Sequence, residues 1–85
     1  MSVLPVRVMV EAMWDQVELE LPAATTVAEI KQRALSLTHT PGRAEEYLVK
    51  YRGAEVLDES RSLADAGVVP NAALIVLSRR RQPVR

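Results

Sequence analysis

The fold of this chain is set by residues 26–37, which read TVAEIKQRALSL and predict the one helix long enough to cover a sheet. Thr26 is suited to cap that helix, and the Glu29 side chain three residues on can reach back to the Thr26 N–H, which predicts a capping box. Apolar residues recur at steps of three and four and are predicted to form the buried face, namely Val27, Ile30, Ala34 and Leu37. The polar side chains between them are predicted to face solvent, namely Glu29, Lys31, Gln32, Arg33 and Ser36.

Alternating runs on both sides of this helix predict the strands of a single sheet. Apolar and polar residues alternate at residues 6–10 and 17–21, with a turn predicted at residues 12–16. After the helix, strands are predicted at residues 47–51, 54–57 and 73–77, with one helical turn at residues 62–65 closed by Gly67. A crossover through the helix should leave the first and last strands as parallel neighbours.

Composition predicts one small domain with a distinct end. The chain of 85 residues contains no cysteine, which fits a cytoplasmic protein, and no apolar run approaches the roughly 20 residues of a membrane span. Residues 1–78 carry seven basic and eleven acidic residues, whereas residues 79–85 carry four arginines. We therefore expect a domain at residues 1–78 and a basic, flexible tail at residues 79–85. The acidic body argues against nucleic-acid binding.

Catalytic and metal-binding chemistry find little support in the sequence. His39 is the only histidine, and without cysteine a metal site would need carboxylates alone beside it. No nucleophile motif is present. We therefore predict a protein that is not an enzyme and that holds no metal or cofactor.

The chain resembles ubiquitin and its relatives from about Val6 to Arg81. The motifs that carry the resemblance are Thr26-Val27-x-x-Ile30-Lys31, Tyr51-x-Gly53, Arg61-Ser62-Leu63-x-Asp65 and Leu74-x-Val76. The resemblance implies an α+β fold, the ubiquitin-like β-grasp. In it, a mixed sheet of four to five strands packs on one helix in the order ββαββ, with a short helical turn before the last strand.

Two departures from ubiquitin affect what the resemblance implies. Ubiquitin-like modifiers and sulfur carriers end in Gly-Gly, whereas no glycine follows Gly67 here, so a covalent role is disfavoured. Lys50 stands where ubiquitin's main partner-binding patch has an isoleucine.

Two bacterial groups of ubiquitin-like proteins without Gly-Gly are similar to this chain in size. One is the YukD-like group associated with WXG100/type VII-like secretion, and the other is the non-catalytic ubiquitin-like subunit of toluene-type aromatic monooxygenases.

Strand alternation also predicts a partner-binding surface on the sheet face opposite the helix. The apolar residues expected there are Met9, Leu48, Ile75 and Leu77, with Arg7, Lys50 and Arg79 as a charged rim. A contiguous exposed apolar patch on a small domain usually marks an interface. Met13 and Trp14 at the hairpin tip are a second candidate contact, although the indole could instead fold back over the sheet or the tail. The arginines of the tail could bind an anionic partner or serve only solubility.

Overall fold

One mixed sheet and one helix make up residues 3–79, the part of the chain that the computed structural model describes. The strands are β1 Val3–Val10, β2 Asp15–Pro22, β3 Tyr47–Tyr51, β4 Ala54–Glu55 and β5 Ala72–Ser78, and the helix is α1 Val27–Leu37. Short 3₁₀ helices occupy Glu11–Met13 and Ala44–Glu46. The strand order is β2-β1-β5-β3-β4. The neighbours β1 and β5 run parallel and the other pairs are antiparallel, which confirms the predicted α+β, β-grasp arrangement.

Strand boundaries differ from the prediction in every strand except β3, and β1 begins three residues earlier than predicted, at Val3. The turn predicted at residues 12–16 is shorter, because Trp14 adopts a left-handed conformation and its N–H donates to the Glu11 carbonyl at 3.1 Å. The chain therefore reverses early, and Asp15 and Gln16 already belong to β2. The fourth strand comprises only Ala54–Glu55, and β5 extends one residue beyond each end of the predicted 73–77.

The core lies between α1 and the inward side of the sheet. Alternate residues of the three central strands are buried, namely Val6, Val8, Val10, Tyr47, Val49, Ala72, Leu74 and Val76. From α1, the predicted Val27, Ile30 and Ala34 are buried against them. The Thr26 cap is also confirmed, since the Thr26 hydroxyl accepts a hydrogen bond from the Glu29 N–H at 3.2 Å. Within the described part of the chain, the predicted capping box is not completed, because the Glu29 side chain makes no reciprocal hydrogen bond to the Thr26 N–H.

The prediction is wrong for Leu37, the last residue of the predicted helix face. Leu37 is 55% exposed, whereas Leu35, which the spacing left off the face, is only 7% exposed. The connection from α1 to β3 explains the difference, because it returns along the Leu35 side of the helix. The N–H of Thr40 donates to the Leu35 carbonyl at 2.9 Å, and the Tyr47 hydroxyl fixes the same connection through the Pro41 carbonyl at 2.7 Å.

Lys31 was also predicted on the solvent side of α1, and this too is wrong. The residue is 3% exposed, its ammonium donates to the Tyr47 carbonyl at 2.9 Å, and it lies 2.7 Å from a carboxylate oxygen of Glu59. A buried ammonium is tolerated only with such partners.

Glu59 reaches Lys31 because the loop after β4 is bound to the start of α1. The first backbone N–H groups of a helix have no partner within the helix. Here the N–H of Val27 donates to the Arg61 carbonyl at 3.0 Å, and the N–H of Ala28 donates to the Glu59 carbonyl at 2.9 Å. The loop is thereby placed beside the helix with its carboxylate over Lys31.

The predicted helical turn before β5 is present. The Ser62 hydroxyl accepts a hydrogen bond from the Asp65 N–H at 3.1 Å, which caps the turn. Gly67 ends the turn with a φ of 79°, and the Val68 N–H donates a hydrogen bond to the Leu63 carbonyl at 3.0 Å. A positive φ of this kind favours glycine, because a side chain would be strained there.

Candidate protein-binding surface

The sheet face opposite α1 brings five of the predicted contact residues together. We call Met9, Leu48, Lys50, Ile75 and Leu77 the outer face. Met9 lies opposite Ile75 in the parallel pair β1–β5, and Ile75 lies opposite Lys50 in the antiparallel pair β5–β3. Leu48 lies opposite Leu77 in the next row. Opposite residues of paired strands project from the same side of a sheet, so these side chains are neighbours.

Burial follows the same alternation. Ile75 is 40% exposed and the other four residues of the outer face are half-buried, whereas their strand neighbours Val49, Leu74 and Val76 are fully buried under α1. The structure therefore places the outer face on the water-facing side of the sheet. Its role in binding a partner remains a prediction.

The charged residues around the outer face are distributed unevenly. On the β1 side, Arg7 lies opposite Glu18 of β2. On the β3 side, Lys50 lies opposite Glu55 of β4. The Glu55 carboxylate nevertheless pairs with Arg79, 3.2 Å from the guanidinium, and within residues 3–79 no carboxylate oxygen lies within 4.0 Å of the Lys50 ammonium. Sequence spacing gave no sign of this, because it depends on where β5 ends.

Arg79, the first residue of the predicted tail, is held against the domain. Its backbone N–H donates to the Glu46 carbonyl at 2.7 Å, and its Nε donates to the Glu45 carbonyl at 3.0 Å. Its guanidinium also lies 3.6 Å from Glu59. Arg79 is therefore not a free cation on the rim of the outer face. Residues 80–85, with the rest of the predicted tail, lie outside the described part of the chain.

The hairpin tip presents the second candidate contact. Trp14 is 83% exposed and Met13 is 42% exposed, so the indole does not fold back over the sheet. Trp14 also has a φ of 50°, which is rare for a bulky side chain. Because β1 and β5 run parallel, with Val10 opposite Val76, the tip lies at the sheet end where β5 finishes.

Residues 3–79 contain no group of three or more His, Cys, Asp or Glu side chains placed to hold a metal ion. The pKa of the exposed Asp58 carboxyl is lowered. The larger cause is a hydrogen bond from the Ser60 hydroxyl, and the Ser60 backbone N–H contributes a second hydrogen bond. Within the same residues, α1 is too short and too polar to cross a membrane, and no other helix could do so.

The strand order and the single crossing helix define the ubiquitin-like class of β-grasp proteins. The ubiquitin-like domain of an Arabidopsis thaliana protein is similar with a TM-score of 0.78 at 20% identity, over 100% of this chain and 86% of that one. Ubiquitin from Caldiarchaeum subterraneum gives a TM-score of 0.78 at 16% identity, over 96% of this chain and 100% of that one. A designed protein based on ubiquitin gives 0.78 at 18% identity, over 99% and 98% of the two chains. Identities this low establish the fold alone.

Sequence comparison identifies the family within that class. Residues 5–70 match the family described as "WXG100 protein secretion system (Wss), protein YukD". The chain therefore belongs to the YukD family, the first of the two groups that its sequence resembles. A search of curated protein sequences found no match.

Proposed function

We propose that this protein is a non-catalytic, cytoplasmic interaction module of a bacterial WXG100/type VII-like secretion system and that it acts by non-covalent contact with protein partners. Membership of the YukD family supports the secretion context. The observation that carries the interaction role is the outer face, where Met9, Ile75, Leu48 and Leu77 are neighbours by strand register on the uncovered side of the sheet.

The physical reason for the interaction role is the cost of leaving such a surface in water. Burial of apolar area contributes about 25 cal/mol per Å², so a partner that covers these side chains gains free energy from each of them. Contiguous apolar patches on small domains usually mark interfaces for this reason. The hairpin tip adds Trp14, a residue type enriched among the residues that dominate binding energy.

The proposal is tested by quantitative affinity capture of the tagged full chain from its native host. We expect enrichment of proteins of the WXG100 secretion system. Leu77→Asp and Ile75→Asp should each abolish the enrichment, because a partner would then have to bury an unpaired carboxylate. Leu57→Asp is the matched control, since Leu57 is 83% exposed in the loop after β4 and is not on the sheet.

Circular dichroism on each variant separates loss of binding from loss of fold. If the folded Leu77→Asp and Ile75→Asp variants capture the same proteins as the parent chain, the outer face is not the site. Trp14→Ala then tests the hairpin tip. If the parent chain enriches no secretion component, the secretion context is wrong.

A further inference from the structure

The position of Lys50 restricts what can cover the outer face. Its ammonium group belongs to a half-buried side chain, with Ile75 opposite it on β5 and Leu48 two residues before it on the same side of β3. A charged group in apolar surroundings is stable while water reaches it. A partner that covers those apolar side chains also removes that water, and the ammonium then needs a new partner of opposite charge.

The protein does not itself supply that opposite charge within the described residues. Glu55 lies directly across from Lys50 in the β3–β4 pair, the position where a cross-strand ion pair would form. Its carboxylate is instead 3.2 Å from the guanidinium of Arg79. Arg79 is fixed there by further contacts with the Glu45 carbonyl at 3.0 Å and with Glu59 at 3.6 Å. The Glu55 carboxylate opposite Lys50 is thus paired with Arg79 at the end of β5, and the Lys50 ammonium remains available to a partner.

We infer that the partner segment that binds the outer face carries a carboxylate flanked by apolar side chains, and that this carboxylate pairs with the Lys50 ammonium. The apolar side chains cover Met9, Ile75, Leu48 and Leu77, and the acid satisfies the cation that they enclose. The inference rests on the proposed interaction role and specifies the chemistry of the partner. A second copy of this chain is the competing occupant, because it would bring its own acids, such as Glu18, to the same face.

The test is a selection of random peptides displayed on phage against the full chain. We expect the enriched peptides to carry Asp or Glu between apolar residues. They should bind the parent chain and fail to bind the Ile75→Asp variant. Lys50→Glu should weaken their binding by about tenfold or more and should itself select peptides with Lys or Arg at that place. Lys50→Met, which keeps the aliphatic stem, should bind the peptides without distinguishing Glu from Gln. Arg33→Glu on the exposed side of α1 makes the same change in net charge and should change nothing.

The outcomes that overturn the inference are distinct from those that overturn the proposed function. Peptides that bind the outer face without a carboxylate, or that bind a folded Lys50→Glu variant as tightly as the parent chain, refute the acidic partner and leave the interaction role intact. The inference also fails if no enriched peptide is sensitive to Ile75→Asp. A concentration-dependent dimer in sedimentation velocity that Lys50→Glu abolishes would show that a second copy is the occupant. Loss of the secretion context is measured separately, by affinity capture.

Discussion

Leu35 and Leu37 offer a direct test of the helix orientation, because the same substitution at two positions of one helix should have very different effects. Leu35 is 7% exposed and lies under the connection to β3, whereas Leu37 is 55% exposed at the end of α1. The spacing of apolar residues alone predicts the reverse. We compare Leu35→Ala with Leu37→Ala, so that side-chain chemistry and helix propensity change equally.

The size of the difference follows from burial. Leu→Ala removes three carbon atoms, which are worth about 2.4 kcal/mol when fully buried at about 0.8 kcal/mol each. Because Leu35 is almost fully buried, Leu35→Ala should lose nearly all of this burial free energy. The cavity left behind adds to the loss, so the substitution should lower the free energy of unfolding by about 3–4 kcal/mol. Leu37 has less than half of its surface buried and leaves no enclosed cavity, so Leu37→Ala should cost about 1 kcal/mol or less.

Urea unfolding followed by far-ultraviolet circular dichroism measures both variants. Tryptophan fluorescence is a poor probe here, because Trp14 is already 83% exposed in the folded state. For a domain of this size, 3 kcal/mol corresponds to a fall of roughly 12–24 °C in Tm. Equal losses of stability in the two variants, or a larger loss for Leu37→Ala, would refute the orientation of α1.

Further predictions concern the buried ion pair, the hairpin tip and the loop after β4. Glu59→Ala should cost about 3–5 kcal/mol in urea unfolding, because it leaves the Lys31 ammonium buried with one carbonyl acceptor. Lys31→Met should cost clearly less, and the reverse order would contradict the assigned pair. Trp14→Gly should leave Tm unchanged or slightly raised, because glycine adopts a φ of 50° without strain; a clear fall in Tm would mean that the indole stabilises the fold. The pKa of Asp58 is lowered in the folded state, so its contribution to stability is present above the unfolded pKa and is lost as pH falls through the folded pKa. Asp58→Asn should therefore reduce the fall of Tm in acid, and an unchanged acid profile would argue against the Ser60 hydrogen bonds.

The sequence by itself determined the element order and the parallel pairing of β1 with β5. Alternation is a local property with a period of two residues, so Val6, Val8 and Val10 identify the inward side of β1 without knowledge of any partner. The same alternation on β3 and β5 was enough to place Leu48, Ile75 and Leu77 on the opposite side. Thr26 likewise marked the start of α1, because a helix cap acts within a few residues of itself.

Tertiary structure alone decided which further residues α1 buries. The helix period predicted Leu37 at the edge of the buried face, and the path of the connection to β3 buried Leu35 instead. The sequence pattern predicts that Lys31 faces solvent. In the structure, the loop after β4 is bound to the start of α1 and places Glu59 beside Lys31. A sequence pattern records only the period of a helix and does not record which distant segments pack on it.

Tertiary structure also decided which charged side chains pair at the edge of the outer face. From the strand register, Lys50 should pair with Glu55, which lies opposite it. Arg79, far along the chain, takes that carboxylate because the end of β5 lies beside β3 and the short helix that precedes it. Competition between two cations for one acid depends on distances in the folded protein, and residue spacing carries no information about those distances.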